Sequence, residues 1–191
     1  MRCFGDGDPL YEAYHDDEWG RPVTTERGLF EKVCLEGFQA GLSWSLVLRR
    51  RDALRSAFAG FDPDVLARWS EARVAKALDA PGIIRSRAKV AMVAANARAC
   101  IDLRDAGGLP DLIWSFAPTG RRAAPKSLAE VPASTPESVA MAKALKKAGF
   151  SFVGATTCYA LMQADGLVND HVAGCAVRRA VEAERAARER R

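Results

Sequence analysis

The sequence predicts an all-α protein. Three observations carry that reading: apolar residues recur at helical intervals, the alternation expected of half-buried strands is nearly absent, and periodic stretches open on capping residues and close on glycine or proline. Thr25 caps a first helix whose stripe runs through Leu29, Phe30, Val33 and Cys34. Ser43 starts another, with Leu46, Val47, Leu54 and Phe58 inward and Arg49, Arg50, Arg51 and Arg55 on the polar side. Asp62-Pro63 pairs a cap with a first helical residue and opens a short helix to Trp69. A second short helix fits Ser70 to Leu78 and stops at Pro81-Gly82. A long helix from about Arg85 to Asp105 carries Val90, Val93, Ala94, Ala97 and Ile101 before Gly107-Gly108 ends it. The four prolines from Pro118 to Pro136 mark a surface connection, and Ser134 and Glu137 have the spacing of a capping box. The next helix runs to about Ala148 and Gly149 closes it. A further helix begins near Gly154 and reaches Asp165, with Gly166 behind it.

The chain has 191 residues, 49% hydrophobic and 27% charged, which suits one well-packed soluble domain over 1–191. Five cysteines and no apolar leader point to a reducing cytoplasm, and no run is long enough to cross a membrane. Cys34, Cys100 and Cys158 lie in apolar stretches and read as buried thiols. The net charge of +4 sits mostly in the tail 178–191, where six arginines face three glutamates. That placement weakens any inference from basicity to nucleic acid; the tail either extends a helix or frays in solvent. A monomer is expected, because no apolar stripe is left unassigned.

Only two histidines are present, and each has a cysteine within reach: Cys3 with His15, and His171 with Cys175. On a helix, His171 and Cys175 would share one face and could share one ion. The segment between Cys3 and His15 contains Gly5, Gly7 and Pro9 and reads as an irregular loop able to fold back. A Cys2His2 set fills a tetrahedron, so such a site would be structural rather than catalytic. Spacing alone leaves the alternative open that these are ordinary histidines and spare thiols.

The run Lys146-Lys147-Ala148-Gly149-Phe150-Ser151-Phe152-Val153-Gly154 reads as a tight turn between two helices. Free N–H groups and the helix dipole at the start of the second helix favour a phosphate, with Lys146 and Lys147 adding charge. An ordinary helical hairpin reads the same way.

Read together, this hairpin and the following Gly166-Leu167-Val168-Asn169-Asp170-His171-Val172 resemble the helix-hairpin-helix superfamily of DNA glycosylases. The chain is more closely similar to the 3-methyladenine DNA glycosylase I family. The likeness rests on Asp8-Pro9-Leu10-Tyr11, Tyr14-His15-Asp16, Glu18-Trp19-Gly20, Cys34-Leu35-Glu36-Gly37, Gln39-Ala40-Gly41-Leu42-Ser43-Trp44, Gly82-Ile83-Ile84-Arg85, Trp114-Ser115-Phe116 and the run 144–175. It implies a helix-hairpin-helix glycosylase fold, with the hairpin over about 137–165. It also implies one structural Zn2+ at Cys3, His15, His171 and Cys175, a clasp joining the N- and C-terminal segments.

The resemblance further implies a monofunctional enzyme that hydrolyses the N-glycosidic bond of 3-methyladenine in alkylated double-stranded DNA, after rotating the nucleotide out of the helix. A cationic purine is attracted by electron-rich rings, so Tyr14 and Trp44 are expected to hold it, with Tyr11 and Trp19 nearby. Glu36 would accept from the exocyclic amine and offset the ring charge. Gly37 and Gly41 would let a ring approach the backbone, and Gly41-Leu42 would fill the gap in the duplex. Gly149, Gly154, Lys146 and Lys147 would contact the phosphates, and Arg49 to Arg51 could also reach them. Asn169 stands where superfamily members carry a catalytic aspartate, and no lysine lies near Thr156, so no strand-cleaving lyase activity is expected. Phe4 follows Cys3 where relatives carry an aromatic two positions on, in a loop one residue longer. The rival reading is a zinc-stapled helical module that binds DNA without acting on it. A glycosylase for a neutral base is disfavoured by the missing aspartate.

Overall fold

The computed structural model describes residues 1–120 and 122–190 and contains, among them, helices and no strand. The α-helices are α1 Pro9–Asp17, α2 Glu26–Gln39, α3 Trp44–Ala57, α4 Pro63–Leu66, α5 Glu71–Ala77, α6 Arg87–Asp102, α7 Gly108–Trp114, α8 Pro136–Lys147, α9 Ala155–Ala164 and α10 Arg178–Glu189.

Most starts were legible as caps. The Thr25 hydroxyl accepts from Gly28 N, Ser43 from Leu46 N, Asp62 from Asp64 N and Val65 N, and Ser70 from Arg73 N. The capping box before α8 falls one residue later than expected. Thr135 and Ser138, not Ser134 and Glu137, exchange the bonds. Pro136 at the first helical position holds Thr135 extended, and that makes Thr135 the cap.

Two segments depart further from expectation, and the tail takes the helical one of its two alternatives. The loop between Cys3 and His15 is irregular only as far as Asp8, because Pro9 starts α1 instead of interrupting a loop. His171 and Cys175 lie in a turn rather than on a helix, with Cys175 N donating to Val172 O at 2.9 Å and Gly174 between them. The tail does not fray over 178–189: Val181 of α10 is buried, Arg185 donates to Gly166 O and Leu167 O, and Arg188 stacks 3.8 Å from the Trp114 ring centroid. Leu46, expected inward, is 37% exposed in the first turn of α3.

The core is organised about α2, which packs against α3, α6, α7 and α9. Leu29, Phe30, Val33, Cys34, Leu35 and Phe38 are buried around its whole circumference. A helix covered on all sides also takes its polar residues inward, and Lys32 and Glu36 are 3% and 4% exposed. Cys34, Cys100 and Cys158 are buried thiols, as expected.

Gly166 ends α9 with φ +74°, and a Cβ there would stand 2.6 Å from Gly20 O and 2.8 Å from Pro22 N. Neither is a side chain that can move aside. Gly166→Ala is expected to cost about 3 kcal/mol, combining left-handed strain with backbone overpacking. A thermal melt should register this as a fall of roughly 6–12 °C.

Candidate active site

The chain's two ends meet at one cluster. The ligand atoms of Cys3, His15, His171 and Cys175 all lie within 4.8 Å of one another. Cys175 Sγ is 3.3 Å from His171 Nδ1 and 3.5 Å from His15 Nε2, and Cys3 Sγ is 3.6 Å from His171 Nδ1. These separations match the edges of a tetrahedron with metal–nitrogen and metal–sulfur bonds of about 2.0–2.3 Å. The outer nitrogens are also engaged as a metal site requires. His171 Nε2 donates to Trp19 O at 3.0 Å and His15 Nδ1 to Asp16 Oδ1 at 2.7 Å, which leaves the inner nitrogens as acceptors. Burial pushes the Cys3 thiol up to about 12 and the His171 imidazole down to about 4. A neutral imidazole is ready to ligate, and a cation is what would draw the proton from such a thiol. The four residues therefore could hold a metal ion.

His15 is followed inward along α1 by Tyr14, so the cluster sets the roll of that helix. Phe4, Tyr11, Tyr14 and Trp44 form a connected aromatic row. Phe4 lies 4.9 Å from Tyr11 and Tyr14 lies 5.1 Å from Trp44, centroid to centroid. Phe4 thus occupies the aromatic place beside Tyr11 despite the shorter loop. Trp19 is turned to the Cys–His cluster, 4.5 Å from the His171 ring. Tyr14 and Trp44 touch, whereas a base held between them would need the rings roughly 7 Å apart, two van der Waals layers. The expected sandwich is not preformed. Trp44 Nε1 is buried without a hydrogen-bond partner among the described residues, a donor in want of an acceptor.

Glu36 faces the same region from α2. It lines a hollow of about 190 Å3 with Gln39, Gly41, Leu42, Thr156 and Ala160. Burial raises its carboxyl to about 8, against the downward pull of Lys32. Burial, and after it the charge of Glu36, lifts the Tyr14 hydroxyl well above its usual range. Lys89 of α6 donates to Phe38 O at 2.7 Å and Ala40 O at 2.6 Å, capping the end of α2 where the chain turns out to Gly41. Gly41 has φ +77°, a Cβ there would meet no atom within 4 Å, and Leu42 beside it is 37% exposed. Gly37 is different: a Cβ there would meet Met92 Sδ at 2.6 Å, so this glycine admits helix α6 rather than a ligand ring.

The hairpin is α8 and α9. Phe150 N donates to Leu145 O and Gly149 takes φ +96°, the glycine-terminated close of α8. Phe152 is held at φ +59° between them. Asn96 of α6, fully buried, donates to Ser151 O at 3.3 Å and accepts from Ser151 N at 2.9 Å, pinning the turn in a way no local pattern announces. Gly154 caps α9 without a side-chain oxygen, so none of its first N–H groups is met by a cap. Lys146 and Lys147 are exposed beside it.

Other expected contacts are taken up internally. Arg49 pairs with Asp8 at 2.7 Å, and Arg51 pairs with Glu18 at 2.6 Å and Glu31 at 2.7 Å. Asn169 donates to Glu182 Oε2 at 2.9 Å and is turned to α10. Asp170 accepts from Tyr159 at 2.6 Å and Gln163 at 3.0 Å. Two polar residues of the site escaped sequence reasoning: Lys32, concealed in an apolar stripe, and Asp165, which read only as the end of a helix.

A helical protein that buries a carboxylate beside a row of aromatic faces, under an exposed Gly-Leu turn, is of the class that takes up a flat, electron-poor ring. The comparisons are specific. The chain belongs to the methyladenine glycosylase family, whose profile matches residues 4–179. It is 50% identical over 172 residues to DNA-3-methyladenine glycosylase 1 of Escherichia coli K12, covering 88% of this chain and 91% of that protein. It superposes with a TM-score of 0.88 on a crystal structure of a 3-methyladenine DNA glycosylase I at 50% identity, covering 92% of this chain and 98% of the other. The Staphylococcus aureus enzyme, solved to show how it recognises 3-methyladenine, superposes at 0.87 with 28% identity, covering 92% and 95%.

Proposed function

We propose that this chain excises 3-methyladenine from alkylated double-stranded DNA by hydrolysing the N-glycosidic bond, without lyase activity. The observation that carries the reading is the buried Glu36 carboxyl of α2, opening on the hollow under Gly41 and Leu42, with the touching rings of Tyr14 and Trp44 on α1 and α3. A flipped, cationic purine brings what this region lacks: a positive charge for Glu36, a flat face for the rings and, in its ring nitrogens, an acceptor for Trp44 Nε1. Because the two rings touch, Trp44 moves aside as the base enters; Tyr11 borders Tyr14, and Trp19 acts indirectly by packing the metal cluster. Leu42 is the apolar wedge for the emptied duplex position. The helix-hairpin-helix element is α8–α9, and its Gly149 and Gly154 backbone, with Lys146 and Lys147, grips the phosphates.

The cluster of Cys3, His15, His171 and Cys175 would hold one structural Zn2+. That ion supplies no chemistry at the bond; it holds the N-terminal loop and the turn at 171–175 together. The molecule acts as a monomer of one domain.

Base release from methylated duplex DNA tests the reading. Glu36→Ala should lower kcat/KM for 3-methyladenine by about a hundredfold while leaving the melting temperature nearly unchanged, since an unpaired buried carboxyl contributes no stability. Unchanged selection of 3-methyladenine over adenine in that variant would remove Glu36 from recognition.

Borohydride added during turnover should trap no protein–DNA adduct, because among the described residues no lysine lines the hollow before Glu36. A trapped species would overturn the hydrolytic assignment.

Elemental analysis should find one equivalent of zinc in protein as purified. Chelation under denaturing conditions should prevent refolding of the 1–17 segment, and zinc-free protein that melts at the native temperature would contradict the clasp.

A further inference from the structure

Behind Tyr14 and Glu36 lies a buried layer of charge. Lys32 sits on α2 one turn before Glu36, so both side chains lie on one face. Its Nζ is 5.2 Å from the centroid of the Tyr14 ring and is hydrogen-bonded to Glu18. Glu18 also accepts from Arg51, which reaches on to Glu31. The two cations, Lys32 and Arg51, are thus matched by the two carboxylates Glu18 and Glu31. Two further acids remain in the layer without such a match. Asp165 is fully buried and neither oxygen has a hydrogen-bond partner among the described residues, and Glu36 has only the hollow before it.

We propose that Lys32 is a positioning residue for Glu36: its ammonium, fixed by Glu18 behind Tyr14, is the charge against which Glu36 can hold a negative charge when a cationic base is bound. The proposal rests on the reading of Glu36 as a base-recognition residue. Lys32 touches neither substrate nor bond and acts only through the carboxyl. Burial drives both Glu36 and Asp165 upward, and the Lys32 ammonium is the charge that most opposes this in each. The other ionisable groups facing this layer are Tyr14 from α1, Glu18 just past its end, Arg51 from α3, Lys89 from α6 and Cys158 from α9, with Asp165 just beyond it. Among all these groups none but Lys32 opposes the upward push of burial on the Glu36 carboxyl. Lys89 is spent on the carbonyls of Phe38 and Ala40.

Removal of a nearby cation raises a carboxyl pKa, so the ionised form appears only at higher pH. The pH dependence of kcat/KM for base release should therefore show its rising limb displaced upward by about one unit in Lys32→Met. At a pH below the limb this is a roughly tenfold loss, recovered on the alkaline plateau. Lys32→Arg should restore the native limb, and Asp165→Asn should not raise it. A Lys32→Met limb coincident with the native one, or an equal rise in Asp165→Asn, would overturn the proposal. Should the methionine variant fail to fold, Lys32→Gln, which can still bond Glu18, makes the same comparison. Titration of the Glu36 carboxyl carbon by NMR, without DNA, gives a second readout: its midpoint should rise in Lys32→Met and stay put in Lys32→Arg. If Glu36→Gln keeps native activity while the NMR midpoint still follows Lys32, the base-recognition reading fails and the electrostatic coupling stands.

Discussion

The constraint on which the site depends is the burial of α2 on every side from Lys32 to Phe38. A helix enclosed by α3, α6, α7 and α9 has no wet face on which to place Lys32 and Glu36. Each must then be answered inside the protein or remain at a cost of several kcal/mol. Lys32 is answered by Glu18, and Arg51 completes the layer through Glu18 and Glu31. Glu36 is not answered. An acid kept in that position against its own desolvation is a poor contributor to stability, and its environment is suited instead to a partner that arrives from outside.

The same burial explains why the two ends of the chain are tied together. α1 is short, and among the other helices it packs chiefly on α3, yet it must present Tyr14 to α2 with little freedom of roll. His15 is the next residue, fully buried, with Nδ1 on Asp16, which Arg2 holds in turn. A metal ion holding the opposite nitrogen at the Cys2His2 cluster would remove the remaining rotation. Helix α10 supports the other half: Arg178 donates to the carbonyls of Asn169 and His171, and Arg185 to those of Gly166 and Leu167. The turn that carries His171 is thus braced by Arg178 inside the span shared with the family, and the segment leading into it by Arg185 just past that span.

What could be read from the sequence was what local chemistry decides. Thr25, Ser43, Asp62 and Ser70 start helices because a side-chain oxygen three or fewer residues away satisfies a free N–H, and that is visible in one dimension. α1 was hidden because Gly5 and Gly7 dominated the reading of a segment in which Pro9 opens a helix. The His171–Cys175 pairing was right in outcome and wrong in mechanism, since a turn brings the two side chains together as closely as a helix would. The Lys32–Asp165 layer was out of reach altogether. Nothing in a stripe of apolar residues marks one lysine as inward, and Asp165 acquires its meaning only when α9 is laid against α2.

On the proposed reading, a pocket built this way discriminates by charge rather than by shape. With the carboxyl near 8, Glu36 is mostly neutral at pH 7 in the empty site, and ionising it costs about 1.4 kcal/mol. A cation a few ångströms away, in surroundings from which water is largely excluded, is worth more than that by Coulomb attraction even at an effective dielectric near 20, about 4 kcal/mol at 4 Å. A neutral adenine offers no such return, although it differs from the alkylated base by one methyl group, which apolar contact alone would separate by only about 1–3 kcal/mol. The N-methylated purine is also a better leaving group, because cleavage discharges its ring. Little is then needed from the position where Asn169 stands, tethered to Glu182 and the carbonyl of Arg178. A site that must only recognise and hold such a base can leave the bond-breaking tendency to the substrate, and it places its own charges accordingly.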